Sequence, residues 1–164
     1  MANPSIAIYL DTNVYSRPFD DQTQFTIQQE ADAFLEIIQA VENKDLTLIC
    51  SDILMFEVDN ILIEEKRARV EDYLGLCAKH VGRSKKILKL GKRIQNDCAL
   101  RARDALHVSS AILGKADYFL SCDKKVTRAK QTECYAQLSK LYRKEKFFAI
   151  NPIPFVKKMQ KGKL

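Results

Sequence analysis

The stretch from Arg103 to Asp123 limits what this chain can fold into more than any other. Its sequence, RDALHVSSAILGKADYFLSCD, spaces apolar residues as one face of a helix and then continues with an apolar run at 118–120. We predict a helix that Asp104 opens and that Gly114, a residue free to adopt a positive φ, ends, followed by a buried strand. The chemistry of open α/β sheets lies beyond the carboxyl ends of the strands, where Asp123 stands. An acid at the start of the helix could reach the same crevice.

Apolar runs rich in β-forming residues alternate along the chain with segments of helical periodicity. This order predicts an α/β fold with a mostly parallel central sheet covered by helices on both faces. No repeat, low-complexity stretch or Gly- and Ser-rich linker interrupts it, so we expect one domain over residues 1–164. The expected strands are 5–10, 46–50, 118–120 and 147–150; the expected helices are 26–43, one beginning at 51 or 52, 67–80, 84–95, 104–113 and a basic helical segment at about 124–146, with a loop at 15–26.

The composition excludes several classes of protein. With 164 residues, 46% of them hydrophobic and 29% charged, the chain has the composition of a soluble globular domain. No apolar run approaches the roughly 18–20 residues that cross a bilayer, and no basic segment precedes the first apolar run, so we expect a cytoplasmic protein without membrane association. The five cysteines are odd in number and include no Cys-x-x-Cys pair, which argues against a zinc site and against a disulfide framework.

Charge is divided unevenly between the two halves of the chain. Residues 1–78 hold 5 Lys and Arg against 15 Asp and Glu, whereas residues 79–164 hold 22 against 6. One interpretation is two solvated surfaces with no further role. The other is an acidic pocket for a metal beside a basic surface for phosphate backbones. Charge alone does not choose between them.

Four acids follow predicted strands or lie in helices next to them. Asp11 comes directly after the first strand, Glu57 lies in the helix after the second, and Asp104 and Asp123 stand at the two ends of the central stretch. If helices and strands alternate, these carboxylates can converge at one edge of the sheet, where like charges raise each other's pKa. A divalent cation such as Mg²⁺ or Mn²⁺ relieves that repulsion, prefers oxygen ligands and can activate water for attack on a phosphate.

Each acid also has a purely structural interpretation. An Asp after a strand is often only a turn residue, as Asp11 would then be, and a Glu such as Glu57 is common on helix surfaces. Asp104 could serve only as the negative charge that suits a helix N-terminus, and Asp123 only as the cap of the next helix. The pattern of four therefore carries more weight than any one of its members.

Three segments of the sequence together resemble the PIN-domain nucleases. They are IYLDTNVYSRPFDD, SDILMFEV and RDALHVSSAILGKADYFLSCDKK, and the ending FFAINPIPFV is similar to the family's last strand, Asn-Pro and short helix. The motifs keep the family's order from Ile6 to about Val156, and the chain is most similar to the bacterial and archaeal kind that includes VapC-type toxins. The resemblance implies a three-layer α/β/α sandwich and an endoribonuclease that depends on Mg²⁺ or Mn²⁺.

The resemblance also implies roles for the four acids. Asp11 and Asp104 would be the main metal ligands, while Glu57 and Asp123 would bind a second ion or hold metal-bound waters. The implied biological role is the toxin half of a toxin–antitoxin pair. Its expected partners are an RNA substrate, a small antitoxin protein that blocks the crevice, and a second copy of the chain in a homodimer.

Further residues would support the site or contact RNA. Asn13 and Ser121 match polar positions that support the site in relatives, many of which have Thr in place of the serine. Arg17 lies in a loop that could fold over the pocket, or could pair with the acids beside it. Basic residues outside the site could follow phosphates or form solvated helix faces; these are Lys85, Lys89 and Lys124.

Two residues near the acids are interpreted as structural. Asp117 precedes its predicted strand, which places it at the edge of the sheet opposite the pocket. His107 lies one helical turn after Asp104 and could face the site, but a hydrogen-bonded structural histidine is the favoured interpretation.

Three other functions compete with the nuclease. The first is a non-catalytic PIN-fold module that binds RNA or protein, for which loss of one of the four acids would be evidence. The second is a phosphatase of the haloacid dehalogenase type, but that site needs a second Asp where this chain has Asn13. The third is a receiver domain, which needs a pair of acids beside its first strand, and Asp11 followed by Thr12 fits that poorly.

Overall fold

The computed structural model describes residues 5–164, and these contain a five-stranded sheet whose strands are all parallel. The strand order is β3-β2-β1-β4-β5, which places the first strand at the centre. This architecture confirms the predicted α/β fold with a parallel central sheet. The strands are β1 (Ile6–Leu10), β2 (Leu46–Ser51), β3 (Lys79–Val81), β4 (Tyr118–Leu120) and β5 (Phe148–Ile150).

Helices connect every pair of consecutive strands, as parallel pairing requires. Within residues 5–164 there are nine α-helices and one short 3-10 turn at Arg17–Phe19. The helices are α1 (Thr12–Ser16), α2 (Phe25–Glu42), α3 (Asp52–Asp59), α4 (Glu64–Leu74), α5 (Lys85–Asp97), α6 (Ala102–Leu113), α7 (Lys124–Thr127), α8 (Ala129–Ser139) and α9 (Pro152–Gln160).

The sheet separates two hydrophobic cores. Ile8 and Leu10 of β1 point to one face, where they pack in a cluster that includes Phe34 of α2. Tyr9, between them in sequence, points to the other face and joins a cluster that includes Val108 of α6. Because successive side chains of a strand alternate between faces, one central strand supplies both cores, and the result is a three-layer α/β/α sandwich.

The parallel strands bring their carboxyl ends to one edge of the sheet. In the register of β1, Ile8 pairs with Leu48 of β2 on one side and with Tyr118 of β4 on the other. The backbone continues this alignment beyond the strand, since the amide of Asp11 donates to the carbonyl of Leu120 at 2.9 Å. The residues that follow β1, β2 and β4 therefore lie side by side.

Two predicted elements are wrong in detail. The helix expected at 67–80 ends at Leu74, and Lys79–Val81 forms β3 at the edge of the sheet. Only the long-range pairing with β2 makes this segment a strand, because its exposed KHV sequence has no apolar periodicity. The loop expected from residue 15 begins as the end of α1 and the 3-10 turn.

Gly114 ends α6 for a different reason from the one predicted. Its φ is −76°, and the positive φ belongs to the next residue, Lys115, at 66°. A Cβ at position 114 would lie 2.6 Å from Cγ2 of Val81 and 2.8 Å from the carbonyl oxygen of Ser110. The glycine therefore lets the end of α6 approach β3 closely, rather than supplying a left-handed turn.

The cysteine prediction is wrong at one pair. Cys98, just after α5, and Cys134 of α8 form a disulfide, although the two residues are 36 apart in sequence. The packing of α8 against α5 brings them together, and the spacing of cysteines along the chain contains no trace of that contact. The predicted basic helical segment is also shorter than expected, because the last helix in it, α8, ends at Ser139. Among residues 5–164 there is no helix with the length and apolar character needed to cross a membrane.

Candidate metal centre

Asp11 is the most firmly held carboxylate at the carboxyl edge of the sheet. It follows β1, caps the N-terminus of α1 and is only 4% exposed. Its Oδ1 accepts a hydrogen bond from the backbone amide of Thr12 at 2.8 Å. Its Oδ2 accepts from Ser121 Oγ at 2.9 Å and from Asn13 Nδ2 at 3.2 Å. Three donors on one buried carboxylate fix its orientation.

Asn13 and Ser121 connect the ends of β1 and β4. Asn13 Nδ2 donates to Ser121 Oγ at 3.1 Å, and Asn13 Oδ1 accepts from the amide of Cys122 at 2.9 Å. Ser121 Oγ in turn accepts from the amide of Asp123 at 3.1 Å. The two residues that were expected to support the site thus contact Asp11 and also orient the segment that carries Asp123.

Glu57 reaches the same edge from α3, the helix that Ser51 caps. Its Oε1 accepts a hydrogen bond from Thr12 Oγ1 at 2.8 Å and is also bonded to Nε2 of His107. Thr12 therefore binds two carboxylates, that of Asp11 through its amide and that of Glu57 through its hydroxyl. This double contact holds Asp11, which follows β1, close to Glu57, which lies in the helix after β2.

His107 lies between these two carboxylates and is 1% exposed. Its Nδ1 is hydrogen-bonded to the hydroxyl of Tyr9 at 2.7 Å, and that hydroxyl is also bonded to Ser51 Oγ at 2.6 Å. Its Nε2 contacts Glu57 and lies 3.8 Å from Oδ1 of Asp11. The histidine is hydrogen-bonded within the core, as the favoured interpretation expected, and in addition it faces the acids.

Asp11, Glu57 and His107 shift one another's pKa. Burial raises the pKa of Asp11, and attraction to His107 offsets only part of that increase. Burial also opposes ionisation of Glu57, but the hydrogen bond from His107 and its charge bring the pKa of this carboxyl below its ordinary value. Burial likewise disfavours the charged imidazole, yet the bond to Glu57 and attraction by Asp11 raise the pKa of His107. The raised pKa of His107 and the lowered pKa of Glu57 both favour an ion pair between these two side chains.

Asp104 and Asp123 form a second part of the site around the exposed side chain of Arg101. The Arg101 Nε lies 3.3 Å from Oδ2 of Asp104, in the first turn of α6, and its Nη2 lies 3.9 Å from Oδ2 of Asp123. Asp123 also caps α7 by accepting from the amide of Lys125 at 2.9 Å. Burial is the largest cause of the raised pKa of Asp11, and the charge of Asp104 adds to it. The two parts of the site therefore lie at the same edge of the sheet.

The donor set fits a hard divalent cation. Asp11, Glu57 and His107 each offer a ligand atom, and these atoms all lie within 4.8 Å of one another. Carboxylate oxygens suit Mg²⁺ and Mn²⁺, and the nitrogen of His107 is a ligand that transition metals accept only when it carries no proton. Within residues 5–164, no other three His, Cys, Asp or Glu side chains come this close.

The structure gives Asp117 a structural contact at the opposite edge of the sheet. Its Oδ2 accepts from the amide of Ala7 at 2.9 Å, and its Oδ1 is paired with Nη2 of Arg143 at 3.0 Å. The carboxylate thus joins the start of β1 to the chain before β5. This arrangement agrees with the interpretation of Asp117 as a residue outside the pocket.

The basic residues expected to contact RNA differ in whether neighbouring acids already pair with them. Arg17 is paired with two acids, Asp20 at 2.9 Å and Glu30 at 3.1 Å, so a phosphate would have to compete for it. The lysines are exposed: two lie on α5, and the third directly follows Asp123 at the start of α7. They are Lys85, Lys89 and Lys124.

Three residues of the site were not predicted. Thr12 and Tyr9 hold Glu57 and His107, and Arg101 holds the outer acids. A tyrosine in a buried strand has to find a partner for its hydroxyl, so Tyr9 gave a usable signal. Thr12 and Arg101 gave none, because their contacts depend on where distant side chains meet.

Comparison with known proteins identifies the family of this chain. The PIN domain family matches residues 8–131, and the chain belongs to that family, as its motifs predicted. Among solved structures it is similar to VapBC2 from Rickettsia felis, crystallised with a DNA fragment from the promoter of that pair. The likeness covers 89% of this chain and 98% of that chain with a TM-score of 0.57 and 15% identity, so it concerns the fold. The curated proteins include no match to this sequence.

Proposed function

We propose that this protein is a metal-dependent endoribonuclease that hydrolyses phosphodiester bonds of RNA. The observation that carries the proposal is the meeting of Asp11, Glu57 and His107 at the carboxyl edge of the sheet, with Asp104 and Asp123 beside them. The chain belongs to the PIN domain family, and the resemblance of its motifs to PIN-domain nucleases implies a metal site formed by these acids. A role as a helix cap accounts for Asp11 alone, but not for the approach of the partly buried Glu57 to the same histidine.

The acids would hold Mg²⁺ or Mn²⁺, with Asp11 and Asp104 as main ligands and Glu57 and Asp123 binding a second ion or metal-bound waters. Such an ion supplies an activated water and stabilises the charge that develops on the attacked phosphate. The chain itself supplies orientation: Ser121 and Asn13 hold Asp11, and Thr12 holds both Asp11 and Glu57.

Substrate binding would use the basic half of the chain. The exposed lysines of α5 and α7 lie outside the acidic cluster and carry charge suited to phosphates on either side of a scissile bond. Such contacts position a nucleic acid without reading its sequence. We therefore assign RNA contacts to Lys85, Lys89 and Lys124, and a weaker one to Arg17, because neighbouring acids already pair with it.

We infer that the biological role is that of the toxin in a toxin–antitoxin pair, acting in the cytoplasm. The support is the similarity in fold to a chain of VapBC2 from Rickettsia felis. On this proposal a small antitoxin covers the acidic edge, and the toxin forms a homodimer. Co-expression with the product of an adjacent small gene, followed by size-exclusion chromatography, tests the partner directly.

One observation favours a second candidate, a non-catalytic PIN-fold module that binds RNA or protein. Arg101 lies between Asp104 and Asp123, where its guanidinium compensates the outer acids without any ion. If that arrangement persists in solution, the edge is a mixed-charge surface rather than a cation site. The two candidates differ in whether the purified protein binds Mn²⁺.

The deciding experiment is cleavage of a mixed RNA pool by purified protein with Mn²⁺, with Mg²⁺ and with chelator. The Asp11→Asn variant, which keeps the size of the side chain and removes its charge, controls for contaminating nucleases. Asp32→Asn, an exposed acid on α2, is the matched control for loss of one charge. We expect metal-dependent cleavage by the parent and by Asp32→Asn only. Cleavage by Asp11→Asn at the parental rate would reject the assignment, and absence of Mn²⁺ binding by calorimetry would favour the non-catalytic module.

A further inference from the structure

The disulfide of this protein joins two segments that belong to the outer part of the candidate metal centre. Cys98 lies in the connection between α5 and α6, and Cys134 lies in the middle of α8. We call their bond the α5–α8 bridge. The segments that it joins, residues 98–104 and 123–135, carry the two outer acids and the arginine between them. The proposed nuclease chemistry uses neither sulfur.

On the α8 side, the bridge is coupled to Asp123 through α7. Tyr135, the residue after Cys134, is fully buried, and its hydroxyl donates a hydrogen bond to the carbonyl of Val126 at 3.0 Å. Val126 belongs to α7, the helix that Asp123 caps, and its amide donates to the carbonyl of Asp123 at 3.0 Å. A displacement of α8 at the bridge would therefore be felt at the segment that carries this acid.

On the α6 side, the bridge is coupled to Asp104 through a short connection. This connection covers only residues 98–101, and Asp104 follows in the first turn of α6. Ala99, next to the bridged Cys98, has a φ of 54°, a left-handed conformation that is unfavourable for a residue with a Cβ. Such a conformation persists only where the surrounding structure holds it. Opening the bridge removes one of the restraints that hold this connection.

Few other directed contacts join the two segments. Within residues 5–164, their side chains share one ion pair, between Arg101 and Asp123 at 3.9 Å, and no hydrogen bond crosses from one segment to the other. Their remaining contact is apolar and includes Leu100 and Tyr135. Since an exposed ion pair contributes little to stability, loss of the bridge would leave mainly this apolar packing to hold the segments together.

The bridge can be reached from solvent. An open depression of about 390 Å³ lies against it, and both cysteines contribute to its wall. The other polar residues of this wall are exposed; they are Asp97, Lys130, Glu133 and Gln137. Cys98 is only 4% exposed, whereas Cys134 is partly exposed. We therefore expect a small thiol to attack the sulfur of Cys134, with the sulfur of Cys98 as the leaving group.

We propose that the α5–α8 bridge is a modification site, a disulfide that dithiol reductants open reversibly and whose opening loosens the segments that carry Asp104 and Asp123. Disulfides are rare in a reducing cytoplasm, and those that form there in mesophiles are usually transient, catalytic or redox-sensing. The proposed location of the protein thus favours an exchangeable bond over a permanent one. The structural change does not depend on RNA cleavage, and only its effect on cleavage rests on the proposed function.

The exchange balances in two steps. A thiolate of the reductant attacks Sγ of Cys134, the S–S bond breaks, and its electron pair leaves with Sγ of Cys98, which takes up a proton. The second thiolate of the reductant then attacks the reductant's own sulfur in this mixed disulfide, and Cys134 leaves and is protonated. The two protons are those that the two thiols of the reductant gave up. The protein gains two electrons, and one dithiol is oxidised to a cyclic disulfide.

Thiol mapping on the full chain tests whether the bridge opens in the folded protein. The protein is incubated with dithiothreitol without denaturant, its free thiols are alkylated, and it is digested with trypsin. The two cysteines fall in separate peptides, 94–101 and 131–140. We expect both peptides to be alkylated after this treatment, and to be linked again once the reductant is replaced by oxidised glutathione. A bridge that opens only in denaturant would overturn the proposal.

Hydrogen exchange tests the structural consequence. Amides of residues 98–104 and 123–135 should exchange at least about 10-fold faster in the reduced protein, while those of α2 keep their rates. Cys134→Ala, which cannot form the bridge, should show this pattern without reductant. Cys77→Ser, which removes a free thiol, is the matched control and should show it only after reduction. Unchanged exchange in both segments, or loss of protection throughout α2, would overturn the proposal, since the bridge would then be inert or a support of the whole fold.

RNA cleavage tests the link to the proposed nuclease. At limiting Mn²⁺, the reduced protein, freed of reductant by gel filtration, and Cys134→Ala should cleave about 2- to 10-fold more slowly than the oxidised parent, because looser outer acids hold a cation less well. Cys77→Ser should match the parent. If no form cleaves RNA, the nuclease assignment fails while the exchange data still decide on the bridge. Equal cleavage by the oxidised and reduced forms of an active enzyme would overturn the link between the bridge and the site.

Discussion

The two parts of the candidate metal centre solve the same electrostatic problem in different ways. In the inner part, Asp11 and Glu57 are compensated by His107, which the core surrounds and Tyr9 holds. In the outer part, Asp104 and Asp123 are compensated by Arg101, whose side chain is 79% exposed. The counter-charge of the inner part is buried in the core, and that of the outer part is exposed on the surface.

The difference indicates which of the two counter-charges the stability of the folded protein depends on. Removing a buried partner leaves a charge without compensation in a low-dielectric region, and that is costly. Removing an exposed partner leaves charges that water can solvate, at little cost. Arg101 can therefore leave its acids without disturbing the core, while His107 cannot. The inner part is the fixed half of the site, and the outer part is the adjustable half.

The largest difference between the two parts is expected in catalysis. Asp11→Asn should lower metal-dependent RNA cleavage by about 1,000-fold or more, because it removes the charge of the fixed carboxylate, whereas Asp123→Asn should lower it about 10-fold. Initial rates on one RNA at saturating Mn²⁺ provide the measurement, with thermal unfolding to verify the fold. Equal losses in the two variants would contradict the division into a fixed and an adjustable half.

The part of the site that could be predicted from sequence is the part that local pattern determines. Asp11 and Asp123 follow apolar strands, and Glu57 and Asp104 lie in helices that the periodicity indicates. Parallel topology then puts all four at one edge. The sequence indicated that His107 could face the site, but not that it would serve as a counter-charge. His107 and Arg101 acquire their partners only when α6 packs beside the ends of β1 and β4.

The same limit explains the errors in the fold. Strand β3 has an exposed sequence and forms because it pairs with β2, so no hydrophobic periodicity in the sequence predicts it. The disulfide of Cys98 and Cys134 depends on the packing of α5 and α8. Gly114 was recognised as the end of α6, but the neighbour that requires it, Val81, belongs to the strand that was missed.

The two counter-charges should also differ in their effect on stability. His107→Leu should lower the free energy of unfolding by about 3 kcal/mol, because it removes the counter-charge of the buried Asp11 and the partly buried Glu57 and one of the two hydrogen bonds of the Tyr9 hydroxyl. Arg101→Ala should change it by no more than about 0.5 kcal/mol. Urea denaturation without metal measures both values. A loss for the arginine variant as large as that for the histidine variant would contradict the comparison.

The pH dependence of stability tests whether His107 is charged in the folded protein. The pKa of His107 is raised because the bond to Glu57 and attraction by Asp11 and Asp104 outweigh burial. Tyr9, which is bonded to the other ring nitrogen, does not titrate near neutrality. A raised pKa contributes stability that is present below the unfolded value of about 6.5 and is lost as pH rises through the folded value.

The metal-free protein should therefore lose stability above about pH 6.5 relative to His107→Gln, with a slope of at most about 1.4 kcal/mol per pH unit. The quantity to measure is the difference between the two proteins, because His80 and Cys50 titrate in both and cancel. Parallel stability curves for the two proteins between pH 6 and 9 would refute a buried imidazolium at this position.

The smallest expected effect concerns the affinity of the outer part for a cation. Arg101 places positive charge 3.3 Å from Asp104 and 3.9 Å from Asp123, and that charge must be displaced or screened when a divalent ion binds these acids. Because the side chain is exposed, its competition is worth only a few tenths of a kcal/mol to about 1 kcal/mol. Arg101→Ala should thus tighten Mn²⁺ binding by about 2- to 5-fold in calorimetry at low salt, and Arg101→Lys should stay near the parent. Weaker binding in the alanine variant would mean that the arginine holds the acids in place for the metal, and the outer part would then be as fixed as the inner one.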